Sequence, residues 1–116
     1  MSRIAVALGG NALLPADETS FKKQQEQVAQ TAEELARLEA NGDNIIITHG
    51  NGPQVGNLLL QQDALDKDET RPLDVLGAES QGQIGYQLQR ELRSTLSKPT
   101  STVLTTTEVD PNDEAF

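Results

Sequence analysis

Ile45-Ile46-Ile47-Thr48-His49-Gly50-Asn51-Gly52-Pro53 is the stretch that decides the fold. Ile45, Ile46, Ile47 and Thr48 are all β-branched, which suits a packed strand better than a helix. The run then breaks into glycines. Pro53 suits the first turn of a helix, where its missing N–H would be unpaired anyway. The same grammar opens the chain, where the apolar run Ile4-Ala5-Val6-Ala7-Leu8 ends in Gly9-Gly10.

Residues 11–18 read as a loop containing Pro15, and Thr19 or Ser20 is placed to cap a helix. Phe21, Val28, Ala32 and Leu35 follow on one helical face, and Asn41-Gly42 supplies the stop. After Pro53 a second helix carries Val55 and Leu58, Leu59 and Leu60, ending near Leu65. Residues 66–71 are a charged connection. Pro72 opens a longer helix with an apolar ladder of Ile84, Leu88, Leu92 and Leu96. Ala78, Gly82 and Gly85 form a small-residue stripe on that helix, permitting close approach by a strand of the same domain or a helix of a partner subunit. Lys98-Pro99 ends it, and the Thr- and Val-rich residues 100–107 read as a third strand. The order β-α-β-α-α-β predicts an α/β fold. A mainly parallel sheet would carry helices on both faces, a three-layer αβα sandwich forming one domain over residues 1–116.

Composition narrows the function. Eighteen acidic against nine basic residues give a net charge of −9, which argues against nucleic acid or an anionic membrane as a partner. With a mean hydropathy of −0.49, the surface must be strongly polar. Phe21, Tyr86 and Phe116 are the only aromatic residues, so Leu, Ile, Val and Ala build the core. Scarce lysine beside abundant carboxylates suggests adaptation to high salt. The absence of cysteine excludes disulfides and thiolate chemistry. No metal site is expected, because His49 has no second histidine or cysteine to share a ligand set. No apolar run approaches the ~20 residues of a membrane span. The amino terminus lacks a signal-peptide pattern, so the expected location is cytoplasmic.

Two glycine turns carry the chemistry: Gly9-Gly10-Asn11 and Gly50-Asn51-Gly52. Both follow the carboxyl ends of predicted strands, the edge where open parallel sheets bind ligands. Glycine lets backbone N–H groups converge on an anion without Cβ interference. Each asparagine offers further N–H donors, and neither turn contains lysine. Each could instead be an ordinary tight turn. Neither is a Walker A motif, and Gly50-x-Gly52-x-x-x-Gly56 misses the dinucleotide fingerprint by one residue. His49 suits a structural role, bonding loop backbone at the strand end, better than a catalytic one.

Val6-Ala7-Leu8-Gly9-Gly10-Asn11-Ala12 resembles the opening motif of carbamate kinases, in the amino-acid kinase superfamily. His49-Gly50-Asn51-Gly52-Pro53-Gln54-Val55-Gly56 is similar to their second glycine loop. Pro72-Leu73-Asp74-Val75, Gly77-Ala78, Ser80-Gln81-Gly82 and Ile84-Gly85-Tyr86 resemble their long helix. Ala7 stands where acetylglutamate kinases and many other amino-acid kinases have lysine. The resemblance covers essentially the whole chain and implies the amino-terminal portion of a carbamate kinase-like fold.

It implies reversible phosphoryl transfer between ATP and carbamate, giving ADP and carbamoyl phosphate in arginine catabolism. Gly9, Gly10 and Asn11 would donate to phosphoryl oxygens. Gly50, Asn51 and Gly52 would hold carbamate and the phosphoryl group opposite, with Pro53 and Gln54 shaping that loop and lining the substrate site. ATP or ADP with Mg2+ would bind in a nucleotide-binding half absent from this chain, as would the missing lysine. The helix over residues 72–96 would build a homodimer. The chain is therefore expected to be truncated and nearly inactive alone. A non-catalytic anion-binding or dimerisation module is the alternative, and a dinucleotide-binding unit a weaker one.

Overall fold

The computed structural model describes residues 1–14, 20–65 and 67–115, with the side chains of Asn11 and Lys67 left out. Strand β1 (Arg3–Leu8) pairs in parallel with β2 (Asn44–His49), in a register running from Arg3↔Asn44 to Leu8↔His49. A one-turn helix α1 (Gly10–Leu13) follows β1. Then come α2 (Phe21–Glu39), α3 (Gly52–Gln62), a 3-10 turn at Lys67–Glu69, and α4 (Leu73–Thr95).

Residues alternate along both strands, as the two-residue period of a strand requires. Val6, Leu8 and Ile47 face the helices, while Ala5, Ala7, Ile46 and Thr48 are exposed. Val28, Ala32 and Leu35 of α2 meet Ile84, Leu88 and Leu92 of α4 on the inner face. Burying side chains of this size contributes roughly 1.5–3 kcal/mol each. The fold is thus α/β with a parallel sheet. Among the described residues, however, helices cover one face of it, not the two expected.

Helix boundaries follow the local chemistry. Ser20 caps α2, its side chain accepting from the Lys23 N–H at 3.5 Å, and Gly42 closes the turn after α2 at φ 84°. The loop expected over residues 11–18 contains the α1 turn, and Pro15 and Thr19 lie outside the described residues. The α3 helix stops at Gln62 rather than near Leu65. Phe21 is 54% exposed, not core, because it stands at the outermost position of its helix.

The third strand is the main correction. Residues 100–107 form no ladder among the described residues. A strand exists through a neighbour that satisfies its backbone. Here an open cleft of about 410 Å³, lined by Ile46, His49, Leu88 and Val103 among others, flanks the free side of β2. The segment is held by α4 side chains instead. Gln81 Oε1 accepts from the Thr105 N–H at 2.9 Å, and the Thr102 hydroxyl donates to Gln89 Oε1 at 2.9 Å. Gly85 makes this approach possible, since a Cβ there would collide with the Thr102 side chain. The close approach allowed by the small-residue stripe therefore comes, at Gly85, from the same chain.

Candidate functional site

The parallel register ends with Leu8 beside His49, so both glycine turns leave the sheet side by side. The Gly50 N–H donates to the Leu8 carbonyl at 3.4 Å, joining the two turns. Neighbouring strands stand roughly 4.8 Å apart, a separation that lets donors from both turns face one small anion.

At the first turn, Gly9 is the extended residue before α1, and its carbonyl accepts from the Ala12 N–H at 3.1 Å. The first N–H groups of a helical turn have no partner within it, leaving those of Gly10 and Asn11 to face outward partners. The Asn11 side chain lies outside the described atoms. At the second turn, Asn51 precedes α3, with Gly52 and Pro53 opening the helix. An asparagine at that position ordinarily caps the N–H groups behind it. Asn51 makes no such bond. Its Nδ2 donates instead to the Ser80 hydroxyl of α4, at 2.7 Å. The opening N–H groups of α3 thus receive nothing from their own cap.

Gly9, Gly10, Gly50, Gly52 and Pro53 are exposed, and Asn51 is half-buried. A Cβ added at any of those four glycines would meet no atom within 4 Å, and none of them has a positive φ. The fold of these residues therefore does not itself require glycine there. The space that a Cβ would fill is open at all four positions.

Gln54 turns inward and is 5% exposed, lining a small cavity with Phe21, Gln24 and Asn57. Its burial contrasts with the exposed Gly50, Gly52 and Pro53 of the same loop. His49 Nδ1 sits 3.1 Å from the Gly50 carbonyl, the structural contact expected of a strand-end imidazole. Sequence reasoning missed Ser80. The signal was a polar residue inside the apolar ladder, four residues from both Leu76 and Ile84.

The donor set suits an anion and not a cation. The turns supply N–H groups and no carboxylate, and Mg2+ takes oxygen ligands. Among the described residues no cluster of three or more acidic or histidine side chains could hold a metal ion. No helix of the described residues is long and apolar enough to cross a membrane.

The chain is similar to proteins of known function along its whole length. The carbamate kinase of Halobacterium salinarum is 51% identical over 116 residues, all of this chain and 38% of its own length. That of Thermococcus kodakarensis is 44% identical, covering all of this chain and 40% of its own. A structure of Giardia carbamate kinase superposes with a TM-score of 0.87 at 37% identity, over 99% of this chain and 42% of that one. The Giardia lamblia enzyme bound to AMP-PNP gives a TM-score of 0.85 over 99% of this chain and 38% of that one. The chain thus spans about two fifths of the length of the relatives it matches. The model of the amino acid kinase family matches residues 2–112, and the chain belongs to that family.

Proposed function

We propose that this chain supplies the amino-terminal, phosphoryl-acceptor part of a carbamate kinase, which interconverts ATP and carbamate with ADP and carbamoyl phosphate in the cytoplasm, as a step of arginine catabolism. The observation that carries this reading is the pair of adjoining glycine turns whose Cβ positions are open. Backbone N–H groups of Gly9, Gly10 and Gly52 meet the transferring phosphoryl oxygens, while Gly50, whose own N–H bonds the Leu8 carbonyl, keeps the loop free of a side chain. Fixed donors of this kind stabilise the charge of the transition state without reorganising at the moment of reaction. Asn11 adds side-chain donors at the first turn. Asn51 orients carbamate at the second, with Pro53 fixing the backbone and Gln54 supporting it.

ATP is the phosphoryl donor, a reading supported by the relatives' names and by the AMP-PNP-bound neighbour. Mg2+ would accompany the nucleotide away from these turns, whose N–H donors offer it no set of oxygen ligands. Leu73 and Tyr86 of α4, each 63% exposed, support self-association through that helix.

The test pairs two measurements on this chain. Carbamoyl phosphate should shift the amide NMR signals of Gly9, Gly10, Gly50 and Gly52. A coupled assay should detect no ATP formation from ADP and carbamoyl phosphate, because neither turn carries a cation. Unmoved loop signals would sink the reading. Turnover at an ordinary kinase rate would instead mean that these turns suffice without the rest of a family-length chain.

A further inference from the structure

Ser80 is fully buried on α4, and its hydroxyl sits between two partners. It donates to the Gly77 carbonyl at 2.7 Å and lies 2.7 Å from Asn51 Nδ2. A carbonyl oxygen can only accept, and a serine hydroxyl has one proton. That proton is committed to Gly77, so toward Asn51 the hydroxyl can only accept. The Asn51 amide is therefore fixed with its NH2 toward α4, and the flipped orientation would set two acceptors against each other.

The fixed orientation has a chemical consequence. One N–H of Asn51 is committed to Ser80, and the side chain caps nothing in α3. What remains is one N–H and the carbonyl oxygen, to which no described residue donates. A remaining donor and a remaining acceptor on one side chain can answer the C=O and the N–H of a carbamoyl group. They cannot both answer an acetyl group, whose methyl has no proton to give.

We infer that Ser80 is a positioning residue that locks the Asn51 amide, so that the second glycine turn selects an acceptor bearing an N–H. The inference rests on the carbamate reading above and names what chooses the substrate at that site. A site built to bond an N–H discriminates against the isostere that lacks it, because its own acceptor is then left unpaired.

Titrations followed by amide NMR compare carbamoyl phosphate, acetyl phosphate and inorganic phosphate against wild type, Ser80→Ala and Ser80→Thr. Wild type should prefer carbamoyl over acetyl phosphate by on the order of tenfold, a preference that Ser80→Ala reduces to about twofold or less. Inorganic phosphate should bind wild type and Ser80→Ala alike, and Ser80→Thr should restore the preference. A structural role alone would weaken all three ligands together. Equal preference in wild type and Ser80→Ala would overturn the inference while leaving the functional reading intact. No binding of carbamoyl phosphate to wild type would overturn the functional reading and this inference with it. Should Ser80→Ala fail to fold, wild type still decides. Its Asn51 side-chain NH2 protons must be slow to exchange and its preference present, and the absence of either overturns the inference.

Discussion

The two ends of the short sheet are built on opposite terms. At the amino-terminal edge, internal partners engage the polar groups. Glu39 accepts from the Ser97 N–H, the Ser97 hydroxyl and the Lys98 N–H, each at 3.1 Å. The Lys98 ammonium donates to the carbonyls of Gly42 and Asp43 and to Asn44 Oδ1. The Ser2 N–H donates to Asp43. At the carboxyl edge, four exposed glycines front open space, and the helix cap is turned away from its helix. The first arrangement ties α4 to the turn between α2 and β2. The second leaves donors unclaimed, as a site must if its partner arrives from outside.

Substitutions at the carboxyl edge should cut ligand binding without touching stability. A Cβ at Gly50 meets no atom within 4 Å, so the thermal midpoint of Gly50→Ala should match wild type. Its carbamoyl phosphate affinity should fall by on the order of tenfold to a hundredfold as the side chain blocks charge-assisted bonds. A lowered midpoint would show that the glycine serves the fold instead.

The amino-terminal edge should give the reverse. Glu39→Gln removes an ion that accepts three bonds, so thermal stability should fall while phosphate titrations at the loops stay unchanged. The Ser97 backbone N–H is the main cause holding the Glu39 carboxyl below its usual range, opposed by partial desolvation and helped by the Ser97 hydroxyl and Lys98. A carboxyl held low contributes stability above its ordinary pKa and loses that contribution as pH falls through the folded value. The wild-type midpoint should therefore drop on acidification through and below the ordinary carboxylate range, and Glu39→Gln should flatten part of that drop. Parallel pH profiles would show that Glu39 carries none of that drop.

Glycines that the fold does use sharpen the contrast further. Gly42→Ala forces a Cβ onto a φ of 84°, costing about 1 kcal/mol. Gly85→Ala should push Thr102 away and speed amide exchange at Thr105, whose N–H bonds Gln81. Gly52→Ala should leave both stability and exchange unchanged. The smallest expected effect is general: salt should raise the melting temperature, because screening relieves repulsion in a chain of net charge −9. Coincident melts in low and high salt would count against adaptation to salt.

Much of this was legible in the residues. The two strands, the Ser20 cap, Pro53 in the first turn of α3 and the Ile84–Leu88–Leu92 ladder follow from local propensity and period. These act over one or two turns and need no distant partner. The glycine turns were legible as candidate anion sites for the same reason. The segment over residues 100–107 was not. Its Thr and Val content favours a strand, but a strand also needs an edge to pair with, and composition does not say whether one is adjacent. Phe21 failed similarly, since its spacing gives the helix face but not how far the packed surface extends toward the helix end.

The α/β alternation and the family are written in the sequence, which also marks both turns as candidate anion sites, because glycine placement and hydrophobic period are properties of short stretches. The tertiary structure alone decided three things. It set Leu8 beside His49, so that two turns separated by forty residues of chain share one edge. It brought Ser80 against Asn51 across 29 positions, fixing which way the amide faces. It laid Thr102 over Gly85 instead of along β2. Each depends on which surfaces meet after packing, a condition that no local run of residues encodes.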